Sequence, residues 1–414
     1  MDMYPTAGFE PVREAFEQGV TDLGNGGGAF CAYVGGTPVV DLWGGTARPG
    51  QPWAADTRAV LMSLTKGLAA LSVQILVDRG QVDLDAPVSA YWPEFAAGGK
   101  EKVLVRHVLT HTAGVLSFPG EPDLLGLDGT GWDDYEAIAK GLAAATPAWE
   151  PGTRFGYHAL SFGWLLAEIV YRVTGRRVGV FFHDEVAEPL GLDTRIGTPP
   201  AEQALVAHVR PFSLAGLPPQ AVQAYEANQA RVRDAGTLAG QAFAARNGTT
   251  IMDHPDEFFN DPHVLGLEIP SANGTSTARS LARLFAMLAM GGELDGVRLL
   301  SRQTVRAFGI VQVRSPDATV GRVSEHQFDP DQSGPSLIVP WALGYIGNFA
   351  APGQGLRYGP VESAFGSEGG RGEIAFCDPE HQISVGFVRS QLDMTGTFSA
   401  RLIDALYECV GTRA

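Results

Sequence analysis

A serine placed three residues ahead of a lysine has the makings of a nucleophile. In Leu61-Met-Ser-Leu-Thr-Lys-Gly-Leu-Ala-Ala-Leu71 the hydroxyl is Ser63 and the amine is Lys66. Leu64, Leu68, Leu71 and Ile75 then mark one face of a helix that the pattern ends at Gly80. Residues at i and i+3 share a helix face, so hydroxyl and amine can meet. The first turn of that helix also offers unpaired N–H groups and a dipole that favour negative charge on an attacked carbonyl. Against this, a serine at a helix start is an ordinary cap. With four lysines in the chain, such a pair arises by chance in roughly a quarter of chains of average serine content.

Other chemical groupings read as structural. His107 and His111 are four apart, which puts two imidazoles on one helix face, but no glutamate follows His107 and no third zinc ligand is evident. Gly274-Thr-Ser-Thr-Ala278 lacks the last glycine of a nucleophile elbow, and Ser276 or Thr275 reads as a helix cap. Phe118, Trp132, Trp149 and Phe155 are candidates for the wall of an acyl pocket, or simply core aromatics. No metal or cofactor is expected.

Two further stretches follow Ser63-x-x-Lys66 in order: Phe155-Gly-Tyr-His-Ala-Leu160, which carries Tyr157, and the glycine-rich Gly366-Ser-Glu-Gly-Gly-Arg-Gly372. With these, the chain resembles the serine β-lactamase and penicillin-binding protein superfamily, and within it family VIII carboxylesterases and class C β-lactamase-like hydrolases. The resemblance extends over nearly the whole chain and takes in Val105-Arg-His-Val-Leu-Thr-His-Thr-Ala-Gly114, Pro270-Ser-Ala-Asn-Gly-Thr-Ser-Thr-Ala278 and Asp378-Pro-Glu380. It implies that Ser63 is acylated, that Lys66 and Tyr157 move its proton, and that the backbone N–H groups of Ser63 and Gly370 form the oxyanion hole. It also places His158, Ser367, Glu368, Gly369 and Arg371 beside the substrate.

The chain departs from the superfamily pattern twice. Tyr157-His158-Ala159 replaces Tyr-x-Asn, so the side-chain amide that binds an amide carbonyl is absent. Ser367-Glu368-Gly369 replaces a cation followed by Thr-Gly, so the group that meets a β-lactam carboxylate is missing and a carboxylate stands there instead, a source of repulsion toward anionic substrates. Arg371 and Arg389 are the candidates to replace that cation. Both departures favour an ester or thioester substrate.

The elements that must hold these residues are legible in outline. Ala29 to Val34 and Pro38 to Trp43 read as a hairpin around Gly35-Gly36, and Glu373 to Cys377 and Gln382 to Val388 as two strands around Asp378-Pro-Glu380. Phe9, Val12, Phe16 and Val20 mark an N-terminal amphipathic helix rather than a signal peptide. Phe398, Leu402, Leu406 and Cys409 mark a C-terminal one. Helical signals dominate between these ends, as in Ser161 to Val173 and Ala278 to Met290. The expected fold is α/β in the α+β sense: an antiparallel sheet flanked by terminal helices, of the β-lactamase/transpeptidase type, from residues 1–80 and 281–414. A mostly helical lobe is inserted over 81–280, with lid-like loops at about 115–150 and 198–262.

A net charge of −16 with so few lysines argues against a nucleic-acid partner, whose affinity depends on neutralising phosphates. The absence of an apolar run of ~18 residues argues against a membrane span. Three dispersed cysteines, Cys31, Cys377 and Cys409, read as core residues in a reducing, cytoplasmic compartment. The leading function is hydrolysis of carboxylic esters, a small-molecule substrate, through an acyl-serine. Its nearest alternative is acyl transfer to a specific alcohol or amine. A β-lactamase or D-amino-acid peptidase stands behind these, and a non-catalytic binding module comes last. The natural acyl donor and the oligomeric state are not readable.

Overall fold

A computed structural model describes residues 7–211, 219–320, 338–350, 355–391 and 396–411, with the backbone of 323–324 and 327–328. Helix α1 (Glu10–Asp22) leads into the hairpin β1 (Gly27–Val34) and β2 (Thr37–Arg48), followed by the short β3 (Gln51–Pro52). The hairpin turns at Gly35 and Gly36, both at positive φ (57° and 77°), as the sequence required. After helix α2 (Thr65–Asp78) the chain leaves the sheet, returning as β4 (Ile346–Gly347), β5 (Phe365–Glu368), β6 (Ile374–Asp378) and β7 (Ile383–Arg389) before the last helix. The seven strands form one antiparallel sheet in the order β4-β5-β6-β7-β1-β2-β3.

Alternation along the strands builds two apolar layers. Phe30, Ala32, Val40, Leu42, Phe376, Val385 and Phe387 face one way, and Val12 and Phe16 of α1 and Phe398, Leu402 and Leu406 of the C-terminal helix (Thr397–Val410) cover them. The opposite residues, Ala29, Cys31, Tyr33, Ala375, Cys377 and Val388, join a much larger core. That core takes in α2, which is buried at every position from Thr65 to Leu76, as a helix apolar on all sides must be.

Between the two halves of the sheet lie α3 (Tyr135–Ala144), α4 (Ser161–Thr174), α5 (Pro219–Arg233), α6 (Leu238–Ala242) and α7 (Ala278–Ala289). A small three-stranded sheet of Ala59–Val60, Thr194–Arg195 and Thr275–Ser276 joins this helical region to the chain just ahead of Ser63. The stretch at 115–150 is more ordered than its weak periodicity suggested. Asp134 accepts from the backbone N–H of Ala137 at 2.9 Å and starts α3, which buries Ile138 and Leu142. The cap of α7 is Thr277, which accepts from Ser280 N at 3.1 Å; Thr275 and Ser276 lie in the small sheet instead. Among the described residues no helix is long and apolar enough to cross a membrane. Residues 212–218, within the expected lid at 198–262, lie outside the described residues.

Candidate active site

Ser63 occupies a single 3-10 turn, Met62–Leu64, that runs directly into α2. Met62 takes φ 47°, a left-handed conformation that costs energy in a residue with a side chain and that concentrates at functional sites. The turn is held in place from the segment 271–274. Leu61 N donates to Gly274 O at 2.7 Å, and Gly274 N donates to Thr65 Oγ1 at 3.0 Å.

One helical turn on, Lys66 Nζ donates to Ser63 Oγ at 3.3 Å and to Ser271 O at 2.9 Å. It also lies 4.9 Å from the centre of the Tyr157 ring. Burial pushes the amine well below the ordinary lysine range. Tyr157 shares a hydrogen bond with Ser63, yet burial, with Asp317 nearby, holds its phenol above the ordinary tyrosine range. Burial thus favours the neutral form of the amine and the protonated form of the phenol. Ser271 Oγ donates to Leu160 O and accepts from Gly163 N, both at 2.8 Å, which fixes the carbonyl that orients Lys66 at the start of α4.

The two histidines near Tyr157 belong to its frame. His111, at φ 56°, stacks on Phe162 with ring centres 4.4 Å apart and lies 4.9 Å from the Tyr157 ring. Its Nδ1 accepts from His158 N at 3.0 Å. His158 is itself buried, its Nδ1 donating to Gly156 O at 2.6 Å, and burial pushes its pKa down to about 4. A neutral buried imidazole with that bond has no surface for a substrate, contrary to the expectation at this position. His107 is tied elsewhere, its Nδ1 accepting from Leu104 N at 3.2 Å.

Strand β5 runs against the nucleophile turn. Ser367 Oγ donates to Leu64 O at 3.5 Å. A Cβ at Gly369 would come 2.5 Å from Leu61 O, so only glycine permits this approach. At Gly370 the corresponding space is open. Glu368 does not stand as the bare carboxylate expected to repel anions, because Arg357 pairs with both of its oxygens, at 3.0 and 3.2 Å. Arg371 is buried, with Nε 2.9 Å from Glu373 Oε1 and Nη2 donating to Val60 O at 2.6 Å. Arg389 Nε donates to Arg371 O, also at 2.6 Å. Both candidate replacements for the missing cation are thus engaged in the frame behind the nucleophile turn.

An apolar cluster lies beside Tyr157. Leu116, Ala159 and Ala242 are buried, and Trp149, Leu238, Phe243 and Tyr157 itself pack half-buried against them. Of the aromatics singled out in the sequence, only Trp149 is here. Phe118 and Trp132 pack around Trp164 in the main core, and Phe155 lies against His111 and Trp341. Leu238 opens α6 and Phe243 directly follows it, about eighty residues further along; their contact is tertiary, and no local pattern announced it.

The proteins to which this chain is similar give its family. The chain is 36% identical over 393 residues to Esterase/beta-lactamase LipL of Mycobacterium tuberculosis, covering 93% of this chain and 81% of that protein. Its structure is similar to that of a family VIII carboxylesterase, with a TM-score of 0.80 and 31% identity over 99% of this chain and 100% of the other. It is also similar to a penicillin-binding protein homologue from Caulobacter crescentus, with a TM-score of 0.76 and 32% identity over 99% and 100% of the two chains. The Beta-lactamase family profile matches residues 12–406, and the chain belongs to that family.

Proposed function

We propose that this protein is a serine carboxylesterase that cleaves esters of apolar acyl groups through an acyl-Ser63 intermediate. The observation that carries the reading is the buried Lys66 amine 3.3 Å from Ser63 Oγ with Tyr157 on the same hydroxyl. Ser63 Oγ attacks the ester carbonyl carbon and its proton passes to Lys66. The backbone N–H groups of Ser63 and Gly370 stabilise the oxyanion. Tyr157, protonated at rest, gives its proton to the departing alkoxide and recovers one from Lys66. Water then attacks the acyl-serine by the same route in reverse. Lys66 is the base and Tyr157 the acid because their environments push them in opposite directions.

The apolar surroundings of Ala159 support a hydrocarbon acyl group where an amide would otherwise be bound. His158, Arg371 and Glu373 act as frame, and Ser367 and Gly369 let the strand approach. The three cysteines are unpaired, which supports a reducing, cytoplasmic address. Incubation with 4-nitrophenyl butyrate, followed by rapid quench and intact-mass analysis, tests the reading. A gain of one butyryl group on the peptide containing Ser63 is expected, and acylation elsewhere, at Ser276 for instance, overturns it.

A further inference from the structure

Tyr157 lies in a stretch, residues 154–158, that is neither helix nor strand. Its backbone N–H and C=O therefore need partners from elsewhere, and those partners decide where the phenol sits. His111 holds one flank, accepting Gly156 N at its carbonyl at 3.1 Å and His158 N at its Nδ1. The other flank is held by a segment 160 residues away. Asp317 Oδ1 accepts from Tyr157 N at 3.1 Å, Thr319 Oγ1 donates to Tyr157 O at 3.0 Å, and Ala318 N donates to Phe155 O at 3.0 Å.

We infer that Asp317 and Thr319 are positioning residues that clamp the backbone of Tyr157 and so aim its hydroxyl at Ser63. The clamp is rigid within itself. Asp317 Oδ1 also accepts from Thr319 N at 2.8 Å and from Val320 N at 3.3 Å, and Thr319 Oγ1 lies 2.8 Å from it, the one hydroxyl proton being shared with Tyr157 O. Thr319 is fully buried, and its carbonyl accepts from Arg231 of α5 at 3.2 Å. A carboxylate this close works against any negative charge on the phenol, so its contribution is geometric. Replacing the charge while keeping the acceptor oxygen should therefore preserve turnover.

The inference rests on Tyr157 carrying a proton, and the experiment separates the two. Turnover of 4-nitrophenyl butyrate is measured for Asp317→Ala, Asp317→Asn, Tyr157→Phe and the Tyr157→Phe/Asp317→Ala double variant. Asp317→Ala is expected to lower kcat about 30-fold with KM within about threefold, since small misplacements of a catalytic group are costly. Asp317→Asn should restore kcat to within about threefold of wild type, and adding Asp317→Ala to Tyr157→Phe should cost little more than Tyr157→Phe alone. Wild-type kcat in Asp317→Ala, equal losses in the Ala and Asn variants, or additive losses in the double variant each overturn the inference. Tyr157→Phe within about threefold of wild type overturns both readings at once. Should Asp317→Ala not fold, Thr319→Val against Thr319→Ser makes the same comparison. About tenfold lower kcat is expected in the Val variant alone, and unchanged kcat in it overturns the clamp.

Discussion

Lys66 has a long amine side chain that is buried, where its Nζ meets Ser63 Oγ and Ser271 O. In the unfolded chain it holds its proton up to about pH 10.4, whereas burial holds the folded value well below that. Between the two values the unfolded state binds the extra proton, so stability from this residue rises with pH and falls as pH drops through that window. Lys66→Met removes the linkage. Calorimetry should show the variant's thermal midpoint gaining on wild type as pH falls from about 10 toward neutrality. A pH-independent difference means Lys66 is charged in the folded protein. The same shift predicts that ester hydrolysis rises with pH well below the lysine range and holds up past about pH 10, because the Tyr157 phenol is displaced upward. Ser63→Ala removes only the attacking oxygen. It should leave less than about 1% of turnover with the fold intact, and more than a few per cent points to another nucleophile.

At the scale of elements, the proposed site depends on close backbone approaches as much as on its polar side chains. Helix α4 reaches the Pro270–Ser271 backbone only because residue 163 is glycine; a Cβ there would lie 2.5 Å from Ser271 N. Gly163→Ala should displace the carbonyl that orients Lys66, lowering kcat by about tenfold or more together with the thermal midpoint. A kcat unchanged beside a lowered midpoint confines Gly163 to packing. Behind β5 the buried Arg371–Glu373 pair ties the strand turn to Val60, and Arg371→Met leaves a buried carboxylate unpaired. A loss of about 3–5 kcal/mol in denaturant unfolding is expected; less than about 1 kcal/mol shows that Glu373 finds another partner.

These particulars mark what the sequence could and could not say. The Gly35-Gly36 hairpin, α2 and the i,i+3 meeting of Ser63 with Lys66 follow from local chemistry and are legible in it. Tyr157 was reachable only through its motif context. The Asp317 clamp, the Arg371–Glu373 pair and the contribution of Leu238 and Phe243 join residues far apart in the chain, and periodicity carries no information about such meetings. The burial of His158 has the same origin, because the backbone leading into it, at Gly156 N and His158 N, is pinned by His111.

On the scale of the whole molecule, we propose that residues 1–80 and 281–414 form a sheet unit and 81–280 a lobe whose contact carries the site. A single apolar core runs through both. Nucleophile and base come from the sheet unit's side of the boundary, whereas Tyr157, Ser271 and α6 come from the lobe. Beside Tyr157 the lobe is apolar: Ala159 with Leu116, Trp149, Leu238 and Phe243 around it. What the sheet unit brings, at Ser367 to Arg371, is a small hydroxyl, a carboxylate already paired with Arg357 and a guanidinium already paired with Glu373. A β-lactam would enter with a carboxylate and an amide, and each group stripped of water without a partner typically costs a few kcal/mol in the transition state. An aryl ester with a hydrocarbon acyl chain carries neither. Specificity constants for short aryl esters should therefore exceed those for penicillins and cephalosporins by about 10³ or more, measured on one preparation. Ala159→Asn, which returns an amide to the apolar floor, should narrow that ratio by slowing the apolar ester. A wild-type protein that turned over a lactam as fast as an aryl ester would show that another group meets the lactam carboxylate, and the apolar reading of the site would fail with it.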